Sequence, residues 1–209
     1  MSSYGGVSKA ARIAERRGRL LEAGLEIAGR DGWNAATVRA ICASARLTPR
    51  YFYESFSGRE ELLLEVFDRI VEEAAAAVLA AVVAAPASDA RAKSHVAIDA
   101  FLGLLESDPR KARVAFVEAL GEEALAHRRQ LAIRSFAALV AAQARSFYGA
   151  AADAAIVDVS ALLLVGGLAD LLLAWFDGEL ELSREELIAS CAELFAAIGE
   201  ATGRIAGRP

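Results

Sequence analysis

Apolar residues recur three and four positions apart along most of this chain, a spacing that places them on one face of an α-helix. The first such stripe contains Leu20, Ala23 and Ile27, and it predicts a helix over about residues 12–30. Gly32 follows this stripe at a position where glycine commonly ends a helix. The chain therefore begins its folded part with one amphipathic helix.

Two shorter helices are predicted next, separated by a tight turn. Val38 and Ile41 mark the buried side of the first, over about residues 37–44. Thr48 and Pro49 mark the start of the second. A threonine side chain can accept a hydrogen bond from a free backbone N–H, and proline loses no hydrogen bond at the first helical position.

The second short helix requires support from packing, because a helix of one or two turns is not stable alone. Phe52 and Phe56 lie four residues apart and are predicted to point inwards. Arg50, Tyr51 and Tyr53 are then left to face outwards. A guanidinium group can bind a guanine edge or a phosphate, and tyrosine hydroxyls can reach phosphates. This helix suits the major groove of DNA.

From about Arg19 to Leu62 the sequence resembles the tetracycline-repressor (TetR/AcrR) family of bacterial transcription regulators. The residues that carry the resemblance are Leu20-Leu21, Ala23, Gly32-Trp33, Thr37-Val38, Ile41, Ala45, Leu47-Thr48, Tyr53, Phe56, Arg59, Glu60 and Leu62. The resemblance implies an all-α fold of about nine helices. An N-terminal three-helix helix-turn-helix DNA-binding domain is expected over residues 1–56, with residues 1–11 disordered. A helical effector-binding and dimerisation domain is expected over residues 57–209.

Three positions depart from the family pattern. Gly24 and Ala28 stand where larger residues are usual, so volume is expected to be missing from the core, and Trp33 is expected to fill part of it. Arg46 stands in the turn between the two short helices, where the family usually has glycine. If this residue adopts a positive φ, arginine is strained there by roughly 1–3 kcal/mol.

Charge is unevenly distributed along the chain. The whole chain has a formal net charge of −5, but residues 1–60 contain ten Lys and Arg against six Asp and Glu. The later residues are correspondingly acidic. A basic first third on an acidic remainder is typical of a DNA-binding head on a body that does not bind DNA.

Eight residues are candidates for DNA contacts, from their chemistry and from the resemblance. Arg39, Arg50 and Tyr51 are predicted to read bases, and Pro49 to touch a thymine methyl group. Thr37, Tyr53, Ser55 and Arg59 are predicted to contact phosphates. For Arg59 the alternative is a solvated charge.

The later helices are predicted to begin at two capping boxes. Ser57 with Glu60 is expected to start a long helix that ends near residue 84, and Ser183 with Glu186 to start the last helix. Helices over about 154–176 and 183–202 are apolar enough to form a homodimer as a four-helix bundle, or to fill the monomer core. Asp158 and Asp170 interrupt the first of these, which argues against a membrane-spanning segment.

The resemblance also implies a ligand pocket in the second domain, and apolar or aromatic side chains would favour an apolar or aromatic effector. Each of these side chains could instead be simple core. The predicted lining residues are Phe101, Leu105, Phe116, Leu120, Phe136, Leu139, Phe147, Leu168 and Trp175. No cofactor and no metal site is expected, because neither of the two histidines lies beside a cysteine or another histidine.

The function predicted from the sequence is a cytoplasmic, dimeric, sequence-specific transcription regulator. It would be a repressor released from a palindromic operator of double-stranded DNA by a small-molecule effector. Repressor and activator remain open, because the direction of regulation depends on where the operator lies. Two alternatives are a DNA-organising protein without ligand response and a small all-helical enzyme. No catalytic arrangement of residues supports the second, so no enzyme is expected.

Overall fold

A computed structural model of the chain describes residues 8–85, 89–148 and 154–206, apart from the side chains of Leu120, Phe147 and Tyr148. These residues form nine helices and no strand, which confirms the predicted all-α class. The helices are α1 (Lys9–Asp31), α2 (Val38–Ser44), α3 (Pro49–Tyr53), α4 (Arg59–Ala84), α5 (Ala90–Ser107), α6 (Pro109–Ala112, continued by π-helical Arg113–Glu118 and by Ala119–Gly121), α7 (Glu123–Tyr148), α8 (Ala154–Phe176) and α9 (Arg184–Ala206).

The helices divide into two compact units. The first contains residues 1–70 and 108–126, and the second contains residues 71–107 and 127–209. The first unit thus combines the predicted DNA-binding helices with the start of α4 and with α6. The predicted boundary between a DNA-binding domain and an effector-binding domain, at residues 56 and 57, stays a prediction. The two compact units are defined by packing and do not show which residues bind DNA or an effector.

Helix α1 begins at Lys9, three residues before the predicted start and inside the stretch predicted to be disordered. Ser8 accounts for the difference, since its hydroxyl accepts a hydrogen bond from the backbone N–H of Ala11. Such a cap satisfies one of the free donors of the first turn. The prediction of disorder is wrong for residues 9–11, and residues 1–7 lie outside the described part of the chain.

The core of the first unit does not have the missing volume that was predicted at Gly24. A Cβ atom added there would lie only 2.4 Å from Cδ2 of Leu62, so the leucine of α4 occupies the space that a side chain would need. Leu62 is fully buried, as is Ala28, and Trp33 is 3% exposed. Gly24 therefore allows a close approach of α4 to α1.

The turn after α2 uses a left-handed backbone at Arg46, whose φ is 52°. The N–H of Leu47 donates to the carbonyl of Cys42, and the N–H of Arg46 donates to that of Ala43. This pair of bonds is the Schellman motif, in which glycine is the preferred residue at the left-handed position. Arg46 thus has a positive φ at the position where the family usually has glycine. Among the described residues, no other non-glycine residue has a positive φ.

Helix α4 begins with a capping interaction that involves a different acidic residue from the predicted one. Both the backbone N–H and the hydroxyl of Ser57 donate to Oε2 of Glu61, each at 2.6 Å, whereas Glu60 was predicted as the partner. The hydroxyl bond and then the backbone bond hold the pKa of Glu61 below its ordinary value. The prediction of the Glu60 partner is wrong because α4 begins at Arg59, which shifts the register of the box by one residue.

Helix α6 packs directly against α1. A Cβ atom at Gly29 would lie 2.4 Å from Cβ and 2.8 Å from Cα of Arg110, so the two helices meet at this glycine. The guanidinium of Arg110 pairs with Glu22 and Glu26 of α1 and with Asp108. Its hydrogen bond to Asp108 holds the pKa of that carboxyl below its ordinary value.

A second polar contact joins the end of α6 to the residues that follow α1. The carboxylate of Glu118 accepts a hydrogen bond from the backbone N–H of Trp33 at 2.8 Å. Arg113 pairs with the same carboxylate and donates to the carbonyl of Arg30, in the last turn of α1. These bonds satisfy backbone groups that a helix end leaves without a partner inside the helix.

In the second unit, α9 packs against α5 and α8. The predicted capping box at its start is confirmed: Ser183 N–H donates to Glu186 at 2.9 Å, and Glu186 N–H donates back to the Ser183 hydroxyl at 3.2 Å. Arg184 pairs with Asp99 and Glu106 of α5. These ion pairs and the cap fix the first turn of α9 against α5.

Among the described residues, α8 is the one helix whose length and apolar composition would allow it to cross a membrane. Only 17% of its apolar 18-residue stretch is buried in the single chain. Its two carboxylates are paired, Asp158 with Arg145 and Asp170 with Arg129 of α7. On the side of α8 that faces α7, small residues of both helices also form a buried cluster of Ala137, Ala141, Val157 and Ala161. The helix thus has one packed side and one open apolar side.

We expect Gly29→Ala to destabilise the first unit by about 1–3 kcal/mol, because the added methyl group would overlap the backbone of Arg110 and overpack the interface between α1 and α6. Gly18→Ala is the control in the same helix. A Cβ atom there meets nothing within 4 Å, so this substitution should stabilise by about 0.5–1 kcal/mol. Chemical denaturation of both variants measures the difference. Equal stability of the two variants would contradict the close approach.

We expect Arg46→Gly to stabilise the protein by about 1 kcal/mol, since it removes the penalty of a side chain at positive φ. Arg46→Ala removes the same charge but keeps a Cβ atom, so it should give no comparable gain. Thermal unfolding of the two variants separates backbone strain from charge. An Arg46→Ala variant as stable as Arg46→Gly would show that the guanidinium, and not the backbone, is the source of the effect.

Candidate nucleic-acid interface

Helix α3 is held in place by two buried aromatic rings. Phe52 is fully buried and Phe56 is 2% exposed, and their ring centroids lie 5.7 Å apart. The prediction that these residues anchor the helix is confirmed. Because a helix of five residues cannot be stable by itself, its orientation is set by this packing.

The start of α3 differs from the prediction in one respect. Thr48 occupies the N-cap position and Pro49 the first helical position, but the Thr48 side chain makes no capping hydrogen bond. Its backbone carbonyl accepts from the N–H of Tyr51 at 3.0 Å instead. The predicted role of the threonine hydroxyl is therefore wrong, and proline alone sets the backbone of the first turn.

Arg17 of α1 supports the end of α3 in three ways. Its guanidinium lies 4.2 Å from the centroid of the Phe56 ring and donates a hydrogen bond to the carbonyl of Ser55. It also forms an ion pair with Glu65 of α4. Arg17 thereby joins α1 to the residues that follow α3 and to α4, a supporting role that the sequence did not predict.

Two further arginines of α1 contact the helix-turn-helix. Arg19 donates to the backbone carbonyl of Ala45, next to the strained turn. Arg16 lies over the ring of Tyr51, with 4.3 Å between its guanidinium carbon and the ring centroid. The predicted base-reading Tyr51 is therefore half-buried and covered on one face by a cation.

Several predicted DNA-contact residues are accessible in the first unit. The Arg50 side chain is 85% exposed and Tyr53 is 61% exposed. Arg39 and Pro49 are also exposed, as is Thr37, whose hydroxyl caps α2 by accepting from the N–H of Ala40. The turn and the two helices that flank it thus present guanidinium, phenol and hydroxyl groups to a ligand.

The two remaining predicted phosphate contacts are less accessible. Ser55 is half-buried, and its carbonyl is bound by Arg17. Arg59 is half-buried and donates to the carbonyl of Trp33 at 3.4 Å. Arg59 also stands in the first turn of α4, where the helix N-terminus favours anions. Their phosphate contacts stay predictions.

One carboxylate lies among these cations. Glu54, at the C-terminal end of α3, accepts from Nε of Arg50 at 3.3 Å and lies 3.7 Å from Nη2 of Arg16. Neither of these two ion pairs is predicted in the sequence analysis. The spacing of four residues between Arg50 and Glu54 is typical of an ion pair on one helix face, so this one of the two pairs could have been predicted.

The predicted ligand-lining residues are divided between the two units. Phe116, 6% exposed, belongs to the first unit. In the second unit, Phe101 and Phe136 form an edge-to-face pair with centroids 6.0 Å apart, and Leu105 is 1% exposed. Leu139 is 42% exposed. The side chains of Leu120 and Phe147 lie outside the described part of the structure.

Two predicted lining residues lie on α8, and both are half-buried: Leu168 and Trp175. The indole N–H of Trp175 donates to the carbonyl of Leu182 at 2.8 Å, which ties the end of α8 to the loop before α9. This bond gives Trp175 a structural role that the sequence did not predict. The ligand pocket as a whole stays a prediction.

Neither cysteine nor a carboxylate cluster points to a metal site. Burial raises the pKa of the Cys42 and Cys191 thiols, so both remain protonated at neutral pH. In residues 8–85, 89–148 and 154–206, no group of three His, Cys, Asp or Glu side chains is arranged to bind a metal ion.

Comparison with known proteins gives matches in sequence and in fold. Residues 20–66 match the family described as bacterial regulatory proteins, tetR family. The HTH-type transcriptional activator FasR of Mycolicibacterium smegmatis is 32% identical over 102 residues, which cover 49% of this chain and 46% of FasR. The match thus spans about half the length of this curated relative.

Two solved structures share the fold over nearly the whole chain. A transcriptional regulator of Pseudomonas aeruginosa PAO1 superposes with a TM-score of 0.70 at 20% identity, covering 95% of this chain and 100% of the other. The fatty acid degradation regulator FadR of Bacillus halodurans has a TM-score of 0.65 at 14% identity, covering 90% and 94%. At these identities the likeness concerns the fold alone. The match to the tetR family of bacterial regulatory proteins thus covers the N-terminal residues 20–66, and the fold of nearly the whole chain is shared with these two structures.

Proposed function

We propose that this protein is a transcription regulator that binds a specific DNA sequence through α2 and α3. The observation that carries the proposal is an exposed Arg50 on a helix whose orientation is fixed by the buried Phe52. A guanidinium on a rigid, exposed helix can form two parallel hydrogen bonds with a guanine edge. Tyr53 and Thr37 are exposed and supply hydroxyl groups that would contact phosphates in the proposed complex.

Dimerisation through α8 and α9 would give the protein two such heads. Large apolar side chains on these helices are exposed in the single chain, among them Leu163 at 68%, Leu194 at 58% and Val159 at 54%. A Cβ atom at Gly166 or Gly167 would meet nothing within 4 Å, so a second helix can approach the backbone there. A second copy of the chain is the partner we propose, with a four-helix bundle as the interface.

A two-fold symmetric dimer would read a palindromic operator. One helix-turn-helix contacts only a few base pairs, and two of them related by a two-fold axis contact half-sites about one helical turn apart. The later part of the chain is acidic and does not attract DNA, so contacts to the duplex would come from the basic residues 1–60 of each copy.

We further propose that a small apolar or aromatic effector releases the protein from its operator, which makes it a repressor. Such an effector must bind more tightly to a conformation that is unsuited to the operator. Coupling of about 1–3 kcal/mol would weaken DNA binding about five- to 150-fold. FasR is named an activator, and activation is therefore the second candidate for this chain.

Selection of bound fragments from a random duplex library tests the DNA proposal. The expected result is one enriched palindrome, bound in preference to random DNA at both low and moderate salt. Equal enrichment of all sequences, with affinity set by salt alone, would favour a DNA-organising protein. Transcription from a promoter that carries the enriched sequence then distinguishes repressor from activator.

Arg50→Ala is expected to weaken binding to the enriched duplex by about 1–3 kcal/mol and to relax the preference at one base pair. The same change at Arg134, an exposed arginine of the second unit, is the control and should leave DNA binding unchanged. Fluorescence anisotropy on matched and single-mismatch duplexes measures both effects. A loss of affinity that is equal on every sequence would make Arg50 a phosphate contact.

Leu163→Glu is expected to convert the dimer to a monomer at micromolar concentration, because it would bury a carboxylate in the apolar interface of α8. Val83→Glu places the same charge on the 76%-exposed Val83 of α4, and should leave the dimer intact. Sedimentation velocity of the three proteins decides the matter. A wild-type protein that sediments as a monomer would remove the dimer from the proposal.

A further inference from the structure

The Glu54 side chain contacts two arginines of the candidate interface, the exposed Arg50 and the half-buried Arg16. Its carboxylate accepts from Nε of Arg50 at 3.3 Å and lies 3.7 Å from Nη2 of Arg16. The Arg16 guanidinium in turn covers the ring of Tyr51. Two predicted base-reading residues, Arg50 and Tyr51, are thus linked through one carboxylate and one additional arginine.

The contribution of these ion pairs to folding is small. The Arg50 side chain is 85% exposed and that of Glu54 is 39% exposed, and exposed pairs four residues apart on a helix contribute only about 0.3–0.5 kcal/mol. Such a pair breaks readily when a better partner for the arginine arrives. The carboxylate therefore orients Arg50 in the free protein without preventing its transfer to a base.

We propose that Glu54 is a specificity-determining residue of the DNA interface, which holds Arg50 and Arg16 and opposes binding to DNA through charge alone. The inference rests on the proposed DNA-binding function. Non-specific affinity arises from the contacts of lysine and arginine with phosphates. A carboxylate between two arginines cancels part of that attraction and repels phosphate groups directly.

Breaking the pair between Arg50 and Glu54 weakens binding to random DNA more than binding to the correct operator sequence. On the correct sequence, hydrogen bonds of Arg50 to a base edge offset the loss of its pair with Glu54. On random DNA, the arginine gains only a screened phosphate contact in exchange for the same pair. Glu54 therefore weakens random binding more than operator binding, which raises the ratio of the two affinities.

The test compares four full-length proteins: the wild type, Glu54→Gln, Glu54→Asp and Asp31→Asn. Asp31 is a matched control, because it is also an exposed carboxylate paired with an arginine of the first unit. It lies about 21 Å from Arg17 along α1, at 1.5 Å per residue. The probes are a duplex enriched by the wild type from a random library and a random-sequence duplex of equal length, each measured over a range of salt concentrations.

Glu54→Gln is expected to bind random DNA about three- to tenfold more tightly, with a salt dependence that is steeper by about one phosphate contact. Its affinity for the enriched duplex should change by no more than about twofold, so that the specificity ratio falls. Glu54→Asp keeps the charge and should retain the wild-type ratio within about twofold, and Asp31→Asn should match the wild type. Melting temperatures of all four proteins show whether folding is affected.

Three results would overturn the inference. Glu54→Gln could behave like Asp31→Asn on both probes, or it could lose affinity for both probes together with a lower melting temperature, which would show a structural role. It could also lose affinity for the enriched duplex alone, which would make Glu54 a base-reading residue. A wild type that enriches no sequence would instead refute the proposed function, and the two failures are thereby distinguished.

Discussion

The burial of Phe52 beneath α3 is the interaction on which the candidate interface depends. A helix of five residues has too few internal hydrogen bonds to offset the entropy of ordering its backbone, so it exists only while the core holds it. Phe52 and Phe56 supply the apolar part of that support, and Arg17 adds a cation over the second ring. Because both rings point inwards, the other face of a helix this short is necessarily exposed, and Arg50 lies on it. Stability of the core and presentation of the DNA-binding surface are therefore one requirement.

Helix α1 gives the whole first unit a common support. In the first half of α1, Arg16 contacts Tyr51 of α3, and Arg17 contacts Ser55 just after α3. Near its C-terminal end, Gly29 admits the backbone of Arg110, so that α6 packs at van der Waals distance. Polar contacts from α6 to Glu26 and to the backbone around Trp33 fix the same junction. Close-packed interfaces contain few voids that could absorb a displacement. The positions of α3 and α6 are therefore both defined by one continuous helix, α1.

Features that depend on local chemistry could be predicted from the sequence, and features that depend on distant partners could not. The helical periodicity, Pro49 at the start of α3 and the reciprocal cap of Ser183 and Glu186 are set by neighbouring residues, and they are confirmed. The partner of Ser57 was wrong by one residue, because the exact start of a helix shifts every cap that refers to it. Gly24 was misread as missing volume, since the side chain that fills the space, Leu62, comes from a different helix. No sequence pattern places Arg16 beside Glu54, because their contact spans 38 residues.

The strained turn at Arg46 persists because contacts on both sides of it hold the backbone in place. A left-handed arginine costs about 1–2 kcal/mol, and two hydrogen bonds of the Schellman motif close the end of α2 in return. The buried Ala45 precedes this residue and its carbonyl is bound by Arg19, while the half-buried Leu47 follows, so packing and a hydrogen bond hold the chain on both sides of the turn. Strain of this kind persists where the surroundings determine the backbone more strongly than the residue does. The turn angle, and with it the direction of α3, is therefore set by the core on both sides of Arg46 and not by the identity of the residue at the turn.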